Sequence, residues 1–399
     1  MRELLFLSHR IPYPPDKGDK IRSYHLLRAL AERYRVHLGA FVDDPADWVH
    51  EPALRSLCGE LCLRPLNPRL RRLASAVGLL RGEALSMAYY RDRNLSGWVA
   101  DLAGRRPLAG VFVFSSSMGQ YALDLPLAPG GQRVIDFCDV DSDKWRQYAN
   151  SHRPPLSLVY SREADRLAEA ERCYLAAFDA TLVISQAEAE LLGELDDARR
   201  CKLHVVPNGV DTDYFDPSLR YDTPFDGTDP TMVFTGAMDY HANVDGVSWF
   251  ARKILPKVRQ AVPAARFVVV GSNPAPEVRA LADLPGVAVT GRVPDVRPYL
   301  AHAALVVAPL RIARGVQNKV LEALAMARPV VATHNAVQGI PDAAESGMAI
   351  ESAPGPMAAI VTKRLRNPAT SSAGRRFVLE RFGWRANLDR VADIVAGTT

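Results

Sequence analysis

Short apolar runs alternate with helical patterns along most of the chain. Runs such as "ELLFLS", "GVFVFS" and "TMVFTG" are the length of buried strands, and apolar residues recur at helical spacing across 20–33 and 157–177. Apolar strands separated by helices are typical of βαβ units, in which the strands lie parallel. The pattern therefore predicts an α/β protein built on parallel sheets.

A stretch rich in Gly, Pro and Asp, residues 208–230, interrupts this alternation and predicts a linker. We expect a Rossmann-like domain over 1–210, a linker over 211–230 and a second Rossmann-like domain over 231–382. A final helix over 383–399 is expected to return to the first domain. Because ligands bind at the carboxyl ends of parallel strands, the two domains are expected to face each other across a cleft.

Composition narrows the class of protein. The chain has 399 residues, of which 48% are hydrophobic and 24% charged, and its formal net charge is +4. This mild basicity does not indicate a nucleic-acid partner. The five cysteines are scattered without metal-ligand spacing, so we expect free thiols and no metal site.

The cellular location of the protein is predicted from whether the sequence contains a signal peptide or a membrane-spanning segment. The first apolar run ends at His9 and Arg10 without a small-residue cleavage site, and no run approaches the roughly 20 apolar residues of a membrane span. We therefore expect a cytoplasmic protein whose membrane contact, if present, is peripheral.

The start of the helix at 316–326 has the features of an anion site. Unpaired backbone N–H groups at a helix N-terminus attract anions, and Lys319 adds a full charge there. One turn further on, the Glu322 carboxylate is placed to accept hydrogen bonds from a diol such as ribose. Phosphate and ribose together indicate a nucleotide, whereas the alternative is a solvated Lys319–Glu322 ion pair. The backbone groups belong to Gly315, Val316, Gln317 and Asn318.

Longer motifs favour the nucleotide. The strings "KVLEALAMARPVVAT" and "VVPNGVDTDYFDP" resemble glycosyltransferase family 4, whose members have the GT-B fold, retain anomeric configuration and use nucleotide-sugar donors. The strings "VIDFCDVDSDKWRQYA" and "FTGAMDYHANVDGVSWF" resemble the sugar transferases associated with PEP-CTERM/exosortase exopolysaccharide systems. The resemblance implies an N-terminal acceptor domain and a C-terminal donor domain.

The resemblance also implies roles for individual residues. Glu322 matches the glutamate that holds the donor ribose, and Lys319 matches a basic residue that faces the diphosphate. Position 314, where the family commonly has another glutamate, is Arg314. The family's arginine after the "TG" strand end is absent beside Gly236, so we expect Arg314 to supply a diphosphate charge or to bind a carboxylate on the donor sugar.

Further donor contacts are predicted from two strand ends. In the family, the loop "VTGRVPDVRPYL" recognises the nucleotide base through its backbone, which places Arg292 and Val293 at the base. His241 and Asn243 follow the "TGAM" strand end and are placed near phosphate or sugar. The alternatives are a surface arginine and a packing or capping histidine.

The acceptor residues are predicted in the first domain. The loop in "PYPPDKGDKIRSYHLLRAL" resembles the family segment that lies against diphosphate and acceptor, and it contains Asp16, Gly18 and Asp19. Ser117 and Asp139 follow two neighbouring strands. Among the acids at 136, 139 and 141, we assign the acceptor hydroxyl to Asp139, with helix capping or a turn as the alternative.

The segment 69–93, "RLRRLASAVGLLRGEALSMAYYRDR", combines helically spaced leucines with arginines. Such a helix fits the surface of an anionic inner membrane, where a lipid-linked acceptor resides, and it equally fits packing against the first domain.

The predicted function is transfer of a sugar, of the hexosyl type, from a nucleotide-sugar to a glycan or lipid-linked acceptor in exopolysaccharide biosynthesis. Lys319 and Arg314 are expected to meet the charge of the departing diphosphate, without a metal or a cofactor. The rival functions are a nucleotide-sugar 2-epimerase on the same fold and a non-catalytic nucleotide-binding scaffold. A dinucleotide oxidoreductase is disfavoured because no Gly-x-Gly-x-x-Gly follows the first strand.

Overall fold

The chain forms two compact units. One consists of Met1–Pro207 with Arg385–Thr399, and the other of Asn208–Trp384. Every helix in the part of the chain that the structure describes is too short or too polar to span a membrane. The computed structural model describes residues 1–15, 18–68, 71, 75, 78, 82–313, 315–368 and 370–398.

The first unit contains a sheet of seven strands in the order β3-β2-β1-β4-β5-β6-β7. All neighbouring strands pair in parallel. The central strand β4 is buried along its whole length, which explains its continuous apolar sequence. The strands are β1 Arg2–Ser8, β2 Tyr34–Val42, β3 Leu61–Pro65, β4 Leu108–Phe114, β5 Gln132–Cys138, β6 Ala180–Val183 and β7 Leu203–Val205.

Helices connect these strands. The helix predicted over 157–177 begins one residue earlier. Of the basic segment predicted as a helix within 69–93, residues 69–70, 72–74, 76–77 and 79–81 lie outside the described residues. Short 3₁₀ segments occur at Pro45–His50, Ser116–Tyr121 and Asp197–Lys202. The helices are α1 Gly18–Arg33, α2 Glu51–Leu57, α3 Leu85–Tyr89, α4 Arg93–Arg105, α5 Asp141–Ser151, α6 Leu156–Ala177 and α7 Gln186–Leu195.

The second unit contains a sheet of six parallel strands in the order β10-β9-β8-β11-β12-β13. Its central strand β8 is buried throughout. The strands are β8 Thr231–Thr235, β9 Arg266–Val270, β10 Val287–Gly291, β11 Leu305–Ala308, β12 Val330–Ala332 and β13 Ala349–Ile350.

The helix predicted over 245–261 begins at His241, because the backbone N–H groups of Asn243 and Val244 both bond to the carbonyl of Tyr240 and close a turn before the apolar pattern starts. A π-helical turn, Phe250–Ile254, interrupts it. The helices are α8 His241–Trp249, α9 Leu255–Ala261, α10 Pro276–Arg279, α11 Arg297–His302, α12 Asn318–Ala325, α13 His334–Val337, α14 Pro354–Arg366 and α15 Ser372–Arg381, with 3₁₀ turns at Ala280–Asp283 and Ala343–Ser346.

The last helix, α16 (Trp384–Ala396), packs on the first unit. Val391 and Val395 are buried in the same apolar cluster as Phe6 and other residues of the first sheet. On the surface, Arg33 of α1 pairs with Asp389 at 3.1 Å and with a second carboxylate, Asp393, at 2.6 Å. The C-terminal helix therefore belongs to the first unit.

Candidate functional site

The second sheet reverses its strand order between β8 and β11. The chain builds outward from β8 through β9 and β10, and then builds from β11 in the opposite direction. At the reversal, Leu305 pairs with Met232 and Val306 pairs with Val233. Ligands of open parallel sheets bind beyond the carboxyl ends of the strands at such a reversal. The residues that follow β8 and β11 therefore form the candidate site.

Glycines stand at the carboxyl ends of three neighbouring strands in this sheet: Gly236 follows β8, Gly271 follows β9 and Gly291 ends β10. A Cβ on Gly271 would lie 1.6 Å from the carbonyl oxygen of Gly236, so only glycine fits there. Gly236 itself has φ 155°, and a Cβ there would lie 2.8 Å from Asn243 Nδ2. Because glycine has no side chain, a ligand can approach the backbone closely at these three strand ends.

Lys319 is held over this strand end by a side chain from the other half of the sheet. Its Nζ donates to Asn243 Oδ1 at 2.7 Å, and Asn243 Nδ2 donates to the carbonyl of Ala237 at 2.8 Å. The ammonium also lies 4.9 Å from the ring centroid of Phe234, within range of a cation–π interaction. These contacts fix a positive charge beside Gly236.

The N-terminus of α12 adds backbone donors. Gln317 is the N-cap residue, with φ −89° and ψ 97°, and makes no side-chain hydrogen bond to the helix. The preceding Gly315 has φ 61°, and Gly339 packs so closely on it that a Cβ on Gly339 would lie 2.3 Å from its carbonyl carbon. Asn318 Oδ1 is buried and has no hydrogen-bond partner among the described residues. Such an orphaned acceptor is a place for a ligand or water donor. Arg314 lies outside the described residues.

Lys319 and Glu322 both carry shifted pKa values. Burial lowers the pKa of Lys319 from 10.5 to about 8, opposed by the charge of Glu322. Burial raises the pKa of Glu322 from 4.5 to about 7, opposed by the charge of Lys319. Desolvation disfavours the charged form of each group, and the two charges compensate one another only in part. An anionic ligand beside Lys319 would restore its full charge.

A group of side chains that the sequence analysis did not predict lies near Glu322. The guanidinium of Arg297 stacks 3.7 Å from the ring centroid of Tyr214 and binds Asp295 at 2.7 Å. The pKa of Tyr214 is raised by burial, by Asp295 and, more weakly, by Glu322. Tyr214 and Arg297 belong to the quoted strings "VVPNGVDTDYFDP" and "VTGRVPDVRPYL", but no local pattern indicates that they meet.

The other predicted donor residues differ in exposure. His241 is exposed at the first position of α8. Arg292 is exposed just after β10, whereas Val293 is half-buried against the core of the second unit. Asn243 is buried and acts on Lys319, so its side chain is occupied within the protein. The structure thus gathers Gly236, Lys319 and the start of α12 around the strand reversal.

In the first unit, Asp19 belongs to an ion cluster. Arg10 Nη1 binds Asp19 Oδ2 at 2.5 Å, and His9 Nε2 lies 3.4 Å from the same oxygen. Burial acts to raise the pKa of Asp19, but hydrogen bonding to His9 and the charge of Arg10 hold it well below its ordinary range. Gly18 begins α1 in open space, and Asp16 lies outside the described residues. Asp19 is therefore ionised and already paired.

Ser117 and the three acids occupy different environments. Ser117 is buried, with its Oγ 3.3 Å from Ser115 Oγ. Asp136 is fully buried and accepts a 2.7 Å hydrogen bond from Arg22 Nε, which gives it a structural partner. Asp139 is exposed as a residue, but partial desolvation of its carboxyl, with a smaller effect of the neighbouring acids, raises its pKa. Asp141 is half-buried and accepts a 2.5 Å hydrogen bond from Ser116 Oγ. Of the three acids, Asp139 is the most exposed.

No three His, Cys, Asp or Glu side chains in the described part of the chain converge as a metal site would require.

The sequence of the chain matches a known family over part of its length. Residues 229–367 match the family model of glycosyl transferases group 1, and no curated protein matches the chain in sequence.

The fold of the chain is similar to that of several solved structures. Sucrose-phosphate synthase from Thermosynechococcus elongatus is 16% identical, with TM-score 0.65 over 99% of this chain and 98% of that one. HepE from Anabaena, solved with UDP-glucose, is 14% identical, with TM-score 0.63 over 100% of both chains. WaaG, a glycosyltransferase involved in lipopolysaccharide biosynthesis, is 15% identical, with TM-score 0.63 over 99% of this chain and 100% of that one. The fold class is therefore α/β with two parallel sheets of Rossmann-like type, and GT-B glycosyltransferases are its structural neighbours.

Proposed function

We propose that the protein is a glycosyltransferase that moves a sugar from a nucleotide-sugar donor to a glycan or lipid-linked acceptor. The observation that carries the proposal is the placement of Lys319 by Asn243 at the strand reversal, with Glu322 one turn further along α12. The matched segment 229–367 contains all three residues. A uridine diphosphate sugar is the first donor to test, because HepE was solved with UDP-glucose.

The donor diphosphate lies beside Lys319 and the N-terminus of α12. A charged amine and unpaired backbone N–H groups form a site that suits two phosphates. The amide oxygen of Asn318, which has no partner among the described residues, can accept a hydrogen bond from a hydroxyl of the donor or from a water molecule bound to the diphosphate. Burial around Lys319 strengthens its attraction for the phosphates, because charges interact more strongly where water is excluded.

The Glu322 carboxylate binds the ribose hydroxyls. Its pKa is raised to about 7 by burial, so it is poorly solvated in the free protein and gains when hydroxyl groups donate to it. None of the described residues donates a hydrogen bond to this carboxylate. The ring of Tyr214, which is 41% exposed, offers an apolar face in the same region.

Transfer breaks the bond between the sugar's anomeric carbon and the diphosphate oxygen, and forms a bond to the acceptor oxygen on the same face. The electron pair stays with the nucleoside diphosphate, whose growing charge is met by Lys319. The acceptor proton passes to the departing phosphate oxygen. Retention, metal independence and a role in exopolysaccharide synthesis are part of this proposal, and the sequence resemblance supports them.

Thermal unfolding with UDP, GDP and dTDP tests donor binding, because a ligand of the folded state raises the melting temperature. We expect one diphosphate to stabilise the wild type, and Lys319→Ala and Glu322→Ala to abolish most of that shift. Lys363→Ala and Glu277→Ala, at exposed positions of α14 and α10, are the matched controls. No stabilisation by any diphosphate would contradict the proposal, and a sugar product formed without an acceptor would indicate the epimerase instead.

A further inference from the structure

The first sheet also reverses its strand order, between β1 and β4. The chain builds from β1 through β2 to β3 on one side, and from β4 through β5 and β6 to β7 on the other. At the reversal Ser8 pairs with Phe114, and the backbone N–H of His9 donates to the Phe114 carbonyl at 3.2 Å. Because ligands of open parallel sheets bind at such a reversal, the residues that follow β1 and β4 are candidates for a second site.

The backbone at the end of β4 is strained. Ser115 has φ 114° and ψ 174°, a conformation that glycine adopts readily and residues with a Cβ rarely do. His9 lies beside it, since its N–H bonds to the preceding residue, Phe114. Strained residues occur most often at binding sites, where the surrounding structure holds them in place. The strain at Ser115 therefore supports a ligand site at this edge of the first sheet.

His9 is held in one orientation by its neighbours. Its ring stacks on Phe114, with centroids 5.7 Å apart, and packs edge-to-face against Tyr90 at 5.8 Å. Its Nε2 lies 3.4 Å from Asp19 Oδ2. Burial acts to raise the pKa of Asp19, but His9 and Arg10 hold it well below its ordinary range, so this carboxylate is ionised and can only accept. Nε2 therefore carries the hydrogen of the neutral imidazole, and Nδ1 is an acceptor.

Two buried acceptor atoms beside this ring have no hydrogen-bond partner among the described residues. They are His9 Nδ1 and Asp43 Oδ1. Asp43 follows β2, and its other oxygen accepts from Arg10 Nε at 2.9 Å. A buried acceptor without a partner is costly, so each atom is a place for a donor from a ligand or a water molecule. The His9 and Asp43 side chains are 16% and 19% exposed, so both still reach the surface of the unit. We call His9, Arg10, Asp19 and Asp43 the strand-end network.

The strand-end network suits hydroxyl groups better than a phosphate. Its one cation, Arg10, is bound by both Asp19, at 2.5 Å, and Asp43. The open positions are acceptors, which bind hydroxyl groups and repel phosphate oxygens. The pKa of Tyr90 is raised by burial and responds more weakly to Arg10 and Asp43, which places its protonated hydroxyl near the same network. A neutral ligand with several hydroxyl groups therefore fits this site.

We propose that the strand-end network binds two hydroxyl groups of a sugar, one at His9 Nδ1 and one at Asp43 Oδ1. A sugar ring carries hydroxyls on neighbouring carbons, and a few fixed polar groups of this kind determine how such a ligand is oriented. The identification of this sugar as the acceptor rests on the proposed transferase function. The acceptor then ends in a sugar and not in a bare lipid phosphate. His9 and Asp43 bind this acceptor and take no part in breaking the donor bond.

Saturation-transfer NMR with the full chain and a panel of methyl hexopyranosides tests the sugar site. We expect at least one glycoside to bind the wild type, and inorganic phosphate to leave that binding unchanged. His9→Phe keeps an aromatic ring but removes Nδ1, so affinity should fall about fivefold, the effect of one hydrogen bond. Asp43→Asn should lose about tenfold, because a hydrogen bond to a charged acceptor is stronger.

Matched controls separate binding from folding. His152→Phe and Asp124→Asn make the same changes at exposed positions of the first unit and should leave glycoside binding unchanged. Thermal unfolding shows whether each variant is folded. His9→Asn, whose amide oxygen replaces Nδ1, should retain more affinity than His9→Phe, which a purely structural role of the ring would not allow.

The proposal is overturned if no glycoside binds the wild type, if His9→Phe and Asp43→Asn bind as the wild type does, or if inorganic phosphate displaces the glycoside. Calorimetric titration with nucleoside diphosphates separates these results from the proposed function. Diphosphate binding without glycoside binding leaves the transferase proposal standing and removes the sugar site. Glycoside binding that depends on His9, without diphosphate binding, leaves the sugar site standing and removes the transferase.

Discussion

Lys319 Nζ donates a 2.7 Å hydrogen bond to Asn243 Oδ1, and this bond joins the two halves of the second sheet at the strand reversal. Lys319 lies in α12, which follows β11, whereas Asn243 lies in α8, which follows β8. The amide of Asn243 is itself fixed by the carbonyl of Ala237. A neutral amide thus orients the ammonium without cancelling its charge, which leaves that charge for an anionic ligand.

Replacing this amide by a carboxylate should weaken ligand binding. In Asn243→Asp, a negative charge would lie at hydrogen-bond distance from Lys319 and compete with the diphosphate, so affinity should fall by about tenfold or more. Calorimetric titration with the diphosphate that stabilises the wild type measures the change. Asn94→Asp, at an exposed position in the first turn of α4, is the control. Equal affinities in wild type and Asn243→Asp would mean that Lys319 does not bind the phosphates.

Diphosphate affinity should fall as the pH rises above the pKa of Lys319. That pKa is lowered to about 8 by burial, so the free protein loses the lysine proton at mildly alkaline pH. Binding must then restore the proton, and affinity should drop by up to about tenfold per pH unit above this value. Lys319→Arg keeps its charge throughout and should remove this dependence. Titrations from about pH 6 to about pH 9 test this; a flat wild-type profile would contradict it.

Glu322→Gln should stabilise the free protein at alkaline pH while weakening nucleotide binding. The folded pKa of Glu322 is about 7, above its ordinary value of 4.5. Its contribution to stability is therefore complete below about pH 4.5 and is lost as the pH rises through 7. Removing the titration should raise the free energy of unfolding at pH 8 by roughly 1 to 3 kcal/mol.

Urea unfolding and calorimetric titration measure the two effects of this substitution. If the Glu322 carboxylate serves ligand binding at a cost in stability, its replacement should raise the stability of the protein and lower its affinity for the nucleotide. A Glu322→Gln variant that is less stable and binds the nucleotide normally would show that Glu322 serves the fold alone. Glu277→Gln, exposed in α10, is expected to change neither quantity.

The central strands of both sheets could be predicted because burial on both faces requires continuous apolar runs. The edge strand β3 was not predicted, since four of its residues are half-buried, Pro65 is exposed, and its sequence "LCLRP" mixes apolar and charged side chains. The edge strand β13 has only two residues, Ala349–Ile350, too few to form a pattern. Hydrophobic patterning therefore predicts the central strands of a sheet and fails for the edge strands.

The candidate site was predictable only where its residues are close in sequence. Lys319 and Glu322 stand one turn apart, so helical spacing brings them together. Asn243 is 76 residues from Lys319, and only the pairing of β8 with β11 unites them. In the same way, Asp136 was one of three acids predicted to bind the acceptor hydroxyl. It is buried, and its carboxylate accepts a hydrogen bond from Arg22, which lies 114 residues away in the sequence. Partners across a sheet have no signature in a single sequence.

Gly236→Ala should damage both stability and diphosphate binding. Gly236 has φ 155°, which side chains rarely adopt, and the new Cβ would lie 2.8 Å from Asn243 Nδ2 and 3.5 Å from Lys319 Cε. The strain should lower the free energy of unfolding by about 1 to 3 kcal/mol. Displacement of Asn243 should release Lys319, so affinity should also fall.

Gly97→Ala provides the opposite case. Gly97 lies inside α4, and a Cβ there would meet nothing within 4 Å. Alanine should stabilise this helix by about 0.5 to 1 kcal/mol and leave ligand binding unchanged. Urea unfolding and diphosphate titration of the two variants compare Gly236, where the conformation at the end of β8 requires glycine, with Gly97, where no such requirement exists. If Gly236→Ala bound the diphosphate as tightly as Gly97→Ala, the bare backbone at the end of β8 would have no part in the site, and the diphosphate would have to bind elsewhere.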